Sequence, residues 1–233
     1  MPVFAPSLSV AGIVPAPGSE HAGRPGVPAR LVLARIDACA SEALAREHLS
    51  AALLAQAPQQ PAARRAAWLA GRVLLACLLG QGRLPALPVG PSGKPLPASP
   101  TMPAFSISHS GGFIAVLLGP DQQPVGCDIE LLRPRAGLMT IARQYFSQAE
   151  TVHLESLHGT PAQADAFWTL WTVREALLKR QGHSVWDMAN LAVQPHPPYS
   201  RTHAVQHQLA QGLSIACCLA RLATPIVRLS LIV

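Results

Sequence analysis

The sequence predicts an α+β fold of two similar α/β halves, and three observations carry that expectation. Strand-like and helix-like segments succeed one another and then close on an apolar hairpin. The same order is met twice along the chain. Matching landmarks, Trp68 with Trp168 and Phe113 with Leu213, lie about 100 residues apart. A chance match between two stretches of an ordinary α+β chain is the alternative to a duplicated unit. The halves are placed at residues 30–122 and 123–233.

Residues 1–29 carry Pro2, Pro6, Pro15, Pro17, Pro25 and Pro28 among several glycines, which predicts an irregular leader. Leu31 to Ile36 then reads as a strand. Ser41 is placed to cap a helix running through Leu44, His48 and Leu49. A second helix is expected from about Pro61, through Trp68, Val73, Leu74 and Leu78, to a stop near Gly80 and Gly82. Phe105 to Ser108 and Phe113 to Leu118 read as a hairpin turning at Gly111 and Gly112. In the second half, Val125 to Glu130 is a strand and Leu138 to Leu157 is helical with a break around Ser147. Pro161 to Gln181 is a long helix, and Ala204 to Leu209 with Leu213 to Ala220 forms another hairpin around Gln211 and Gly212.

With 49% apolar and 13% charged residues, 233 residues suffice for a substantial core. A net charge of +6 and a pI near 9.6 point to an anionic partner: nucleic acid, a membrane surface, a phosphorylated cofactor or an acidic protein. The arginines are scattered in ones and twos without interleaved aromatics, so no nucleic-acid partner is expected. No stretch approaches the roughly 18 consecutive apolar residues of a membrane span. The apolar run Leu8 to Val14 lacks the preceding Lys or Arg of a signal peptide. Cys39, Cys77, Cys127, Cys217 and Cys218 have no metal-ligand spacing and read as buried thiols of a cytoplasmic protein.

Four segments carry chemistry. In Val125 Gly126 Cys127 Asp128 Ile129 Glu130, strand alternation sets Asp128 and Glu130 on one face. Paired carboxylates repel unless a cation lies between them, and hard oxygen ligands suit Mg²⁺; two surface acids at a strand end are the plain alternative. On the long helix, Trp171, Glu175 and Lys179 share a stripe. Glu175 with Lys179 is either an ordinary helix pair or a half-buried acid that needs a cation or a proton. His109, between Ser108 and Ser110 at a glycine turn, either donates to a phosphate oxygen or packs on the side of Phe105 and Ile107. Lys94, between Gly93 and Pro95, is a stiffly held point charge in a loop that is not a P-loop.

In that order, GKP at 93–95, ISHS at 107–110, VGCDIE at 125–130 and WTVREALLK at 171–179 strongly resemble the motif series of the surfactin-type and enterobactin-type 4′-phosphopantetheinyl transferases. The match spans roughly residues 60 to 185. It implies that family's pseudo-twofold fold, with the active site in the cleft between halves. It further implies Mg²⁺ held by Asp128, Glu130 and Glu175 together with the coenzyme A pyrophosphate, coenzyme A as substrate, and an acyl or peptidyl carrier protein as partner. Lys94, Ser108, His109 and Lys179 would contact coenzyme A, and Arg72 matches a helix arginine of the enterobactin-type branch that would meet the 3′-phosphate. Glu175, or a water it orients, would be the base. Arg64 and Arg65 are further basic candidates without a clear match, and two fused halves imply a monomer. The sequence departs from the motif at Arg174, where the family usually has lysine, so a contact made there does not simply transfer.

Overall fold

The computed structural model describes residues 29–80, 82–220 and 227–232. The chain forms β1 (Ala29–Arg35), short helices α1 (Ile36–Cys39), α2 (Glu42–His48) and α3 (Ala51–Leu54), the long α4 (Ala62–Leu79), and the hairpin β2 (Phe105–Ser110) and β3 (Phe113–Leu118). It continues with β4 (Gly126–Leu131), α5 (Leu138–Tyr145), α6 (Gln148–Ser156) and α7 (Pro161–Gln181). The hairpin β5 (His203–Ala210) and β6 (Leu213–Ala220) follows, and then β7 (Val227–Ile232). These elements make the α+β fold that the sequence predicts. The expected leader lies outside the described residues, except for Ala29, which opens β1.

The elements divide into two units. In the first, the sheet order is β2-β3-β1-β7. β3 is antiparallel to both β2 and β1, and β7 is parallel to β1. Helix α4 packs on β3 and β2. Val32, Leu49, Leu74, Leu75, Phe105 and Ile114 belong to its core. In the second, the order is β4-β6-β5, all antiparallel, with α7 packed on β4 and β6 around Phe167, Trp168, Leu170, Val173 and Ala216. The connectivity therefore repeats: a first strand, a long helix, then a hairpin whose second strand pairs with the first. Both hairpins turn through two left-handed residues, Gly111 (φ 58°) and Gly112 (φ 83°) in one, Gln211 (φ 53°) and Gly212 (φ 73°) in the other. That backbone matches the twist of the flanking strands.

Several expectations are corrected. The end of the chain does not stay with the second half, because β7 pairs along β1, from Ala29↔Val227 to Ala34↔Ile232. The boundary between units falls between Gln123 and Pro124. Cys77 is exposed, although the other four cysteines are buried as expected. The break around Ser147 is a complete helix end: Ser147 caps α6, its side chain meeting the Glu150 backbone while Glu150 reaches back to the Ser147 amide. Ser41 caps α2 by accepting from the Leu44 amide. Among the described residues no helix is long and apolar enough to cross a membrane.

One buried network makes a stability prediction. His207 on β5 donates from Nε2 to Ser214 Oγ at 2.9 Å, and that hydroxyl donates to the Trp168 carbonyl at 3.2 Å. Burial holds the imidazole neutral and lowers its pKa from 6.5 to about 4. The unfolded chain thus binds more protons between those values, so stability conferred by the neutral ring is intact above pH 6.5 and lost as pH falls toward 4. The loss amounts to about 3 kcal/mol at most. Melting curves across this range should show a slope that His207→Gln flattens; an identical slope in the variant would place the acid sensitivity elsewhere.

Candidate active site

Asp128, Glu130 and Glu175 all lie in the second unit, near enough for the charges of the first two to act on Glu175. Gly126 opens β4 where α7 lies almost in contact with the strand. A Cβ there would come 1.9 Å from the Ala176 carbonyl oxygen and 2.5 Å from the Arg180 amide nitrogen. Glycine is the residue that permits this approach. With helix and strand so close, Lys179 Nζ donates to Asp128 Oδ1 at 2.6 Å across 51 residues of chain. Asp128 is 3% exposed. Glu130 and Glu175 are half-buried. The Glu175 carboxyl is raised to about 7: burial contributes most, the charge of Asp128 adds to the rise, Lys179 pulls it down, and Glu130 adds a smaller rise. For Lys179, burial opposes the charge, but Asp128 and Glu175 outweigh that and its pKa is raised. The stripe predicted on α7 is therefore one electrostatic unit with the acids of β4.

Three carboxylates pushing on one another in a half-buried setting are the hard-oxygen donor set that suits a divalent cation. Their chemistry fits Mg²⁺. As arranged, the described residues contain no group of three His, Cys, Asp or Glu side chains drawn together as a metal site. The positive charge beside Asp128 is instead the Lys179 ammonium.

The basic candidates lie mainly in the first unit. Lys94 is half-buried in a tight hairpin closed by Gly90 N to Lys94 O at 2.8 Å, Gly93 N to Gly90 O at 2.9 Å and Leu96 N to Pro88 O at 2.8 Å, the stiff loop that Gly93 and Pro95 predict. On β2, Ser108 is buried and His109 exposed, so the packed histidine is not what the fold builds. Arg72 on α4 lies 4.1 Å over the Trp68 ring and donates from Nη1 to the Trp68 carbonyl at 3.3 Å. Its Nε is buried without a hydrogen-bond partner among the described residues, and burial lowers its pKa to about 10. Arg65 instead donates to the carbonyls of Ala57 and Pro58, at 3.1 and 3.2 Å, and anchors the start of α4.

Arg174, the departure from the family motif, is fully buried and faces away from solvent. Its Nε donates to Glu150 Oε1 at 3.0 Å, Nη2 to Glu150 Oε2, and Nη1 to the Met188 carbonyl at 2.6 Å. Glu150 is equally buried and takes further bonds from the Ser147 amide and hydroxyl, at 2.8 and 2.6 Å. Arg174 thus ties α7 to the cap of α6 and to the 3₁₀ turn Val185–Asn190. Sequence reasoning missed this partner, although Ser147 and Glu150 stand at capping-box spacing. It also passed over Gly126, whose signal is a glycine inside a strand run.

The family model of the 4′-phosphopantetheinyl transferase superfamily matches residues 124–218, which hold the acidic cluster and the Arg174 pair. The 4′-phosphopantetheinyl transferase AcpT of Escherichia coli K12 is 40% identical over 190 residues, covering 81% of this chain and 89% of its own length. AcpT of E. coli O157:H7 is 39% identical over 189 residues with the same coverage. The 4′-phosphopantetheinyl transferase Sfp of Bacillus subtilis is 36% identical over 88 residues, 37% of each chain. A relative this similar over most of both chains, together with the family match over the acidic unit, shows that the chain belongs to the 4′-phosphopantetheinyl transferase superfamily.

Proposed function

We propose that the protein transfers the 4′-phosphopantetheine group of coenzyme A to a serine of an acyl or peptidyl carrier protein, releasing adenosine 3′,5′-bisphosphate. The observation that carries this reading is Glu175, a half-buried carboxyl held at about 7 beside Asp128 and Glu130, on the helix that bears the family motif. The serine oxygen attacks the β-phosphorus of coenzyme A, and the bond from that phosphorus to the bridging oxygen breaks. The electron pair leaves with adenosine 3′,5′-bisphosphate. Glu175, directly or through a water, takes the serine proton as general base. Lys94, Ser108, His109 and Arg72 hold coenzyme A, with Arg72 assigned to the 3′-phosphate. Lys179 is an additional phosphate contact once substrate is bound. Asp128, Glu130 and Glu175 would hold Mg²⁺, which supplies neutralisation of pyrophosphate charge when bound. The basic surface would steer an acidic carrier protein toward the enzyme.

Incubation with coenzyme A, Mg²⁺ and fatty-acid, polyketide and peptide carrier domains, followed by mass measurement, tests the reading. A phosphopantetheine mass is expected on at least one carrier, and modification of none would refute it. Glu175→Gln is expected to lower turnover by about 10²–10⁴, the usual contribution of a general base, at any Mg²⁺ concentration. Asp128→Asn should mainly raise the Mg²⁺ concentration required. Full rescue of Glu175→Gln by excess Mg²⁺ would reduce Glu175 to a ligand.

A further inference from the structure

We propose that Lys179 is the resident counter-ion of Asp128 in the ligand-free protein, so that a divalent cation must compete with it and metal affinity is set by its charge. The inference rests on the metal-assisted reading above and goes beyond it. Asp128 sits almost fully buried at the point where Gly126 lets α7 close onto β4, and the Lys179 ammonium is 2.6 Å from Asp128 Oδ1. The backbone of Asp128 is fixed by strand pairing to Ala216, and Lys179 stands on the last turn of a helix packed against that strand. The Lys179 side chain is 27% exposed and that of Asp128 5%, so solvent screens the pair only on the lysine side. A dication arriving at the carboxylates finds one unit of positive charge already there. A dication and an ammonium a few ångströms apart repel one another even where solvent screens them on one side. The lysine must turn outward as the metal enters. That movement would free its ammonium for a phosphate oxygen, and the same side chain then serves both states in turn.

The test is direct metal binding to the full chain without coenzyme A, using Mn²⁺ as the probe and the electron paramagnetic resonance signal of the free ion as the readout. Lys179→Met is expected to tighten Mn²⁺ binding by about tenfold or more, because the competing charge is gone. Without metal, its melting temperature should fall, because Asp128 loses its ammonium partner, and added Mn²⁺ should raise that temperature more than it does in the unsubstituted protein. Lys179→Arg, which keeps the charge, should bind Mn²⁺ as the unsubstituted protein does. Lys179→Gln keeps a donor without the charge and gives the same tightening if Lys179→Met fails to fold. Unchanged or weaker binding in Lys179→Met or Lys179→Gln, with the unsubstituted protein binding normally, overturns the counter-ion role alone. No binding by the unsubstituted protein or any variant, with or without coenzyme A, overturns the metal reading with it.

Discussion

Arg174→Met is expected to be among the most destabilising single changes in the chain, costing about 3–5 kcal/mol, because it strands Glu150 as a buried carboxylate without its counter-charge. For a protein of this size that is a fall of roughly 6–20 °C in melting temperature. One guanidinium makes three bonds here. Two grip Glu150 and the third holds the Met188 carbonyl, so the substitution loosens the α6 cap and the turn after α7 together. Arg174→Lys keeps the charge but cannot reproduce that fork, and should cost about 1–3 kcal/mol. Pairing Arg174→Met with Glu150→Leu should recover much of the loss, since removing both members of a buried pair leaves no unmatched charge. Thermal melts of the three variants check this. A substrate contact would behave differently: Arg174→Lys would then raise the KM for coenzyme A at an unchanged melting temperature.

What the sequence made legible follows from how local each signal is. Helix α7 could be placed from Pro161 to Gln181 because proline starts it, Gly182 ends it and its apolar spacing is sustained between. The hairpins were marked by their turn residues, and the acidic strand by alternation. Asp128 and Glu130 followed as paired acids because they are two residues apart, and it was the family resemblance that added Glu175 of the long helix as a third metal-ligand candidate. Partner choice at a distance was not legible. Nothing in residues 227–232 says that they run parallel to β1 rather than beside β6. Nothing around Arg174 says that its partner is Glu150, 24 residues earlier, instead of a phosphate. A charged residue in a helix is usually at the surface, so the pattern alone points outward where the fold points in. Lys179 shows the same limit. Its helix stripe was readable, yet its engagement with Asp128 depends on how near α7 comes to β4.

That nearness makes Gly126→Ala the change expected to harm the proposed activity most for the fewest atoms added. The new Cβ would overlap the Ala176 carbonyl oxygen at 1.9 Å and the Arg180 amide nitrogen at 2.5 Å, and both are backbone atoms that no rotamer change can move aside. Either α7 shifts outward or β4 bends. Overpacking of this kind typically costs about 1–3 kcal/mol. The functional consequence is larger, because the same shift draws Glu175 and Lys179 on α7 away from Asp128 and Glu130 on β4. A misplacement of about 1 Å in a catalytic group can cost on the order of 10²-fold in rate. Turnover of Gly126→Ala is therefore expected to fall by about 10²-fold while most of the protein still melts cooperatively. Gly71→Ala is the control. Its Cβ would approach Ile107 Cγ2 at 2.8 Å, but that atom belongs to a side chain that can rotate, so α4 should stay in place and turnover change far less. If Gly126→Ala keeps near-normal turnover, the spacing of α7 from β4 does not set the geometry of the acidic cluster, and the assignment of Glu175 as the base that acts beside Asp128 falls with it.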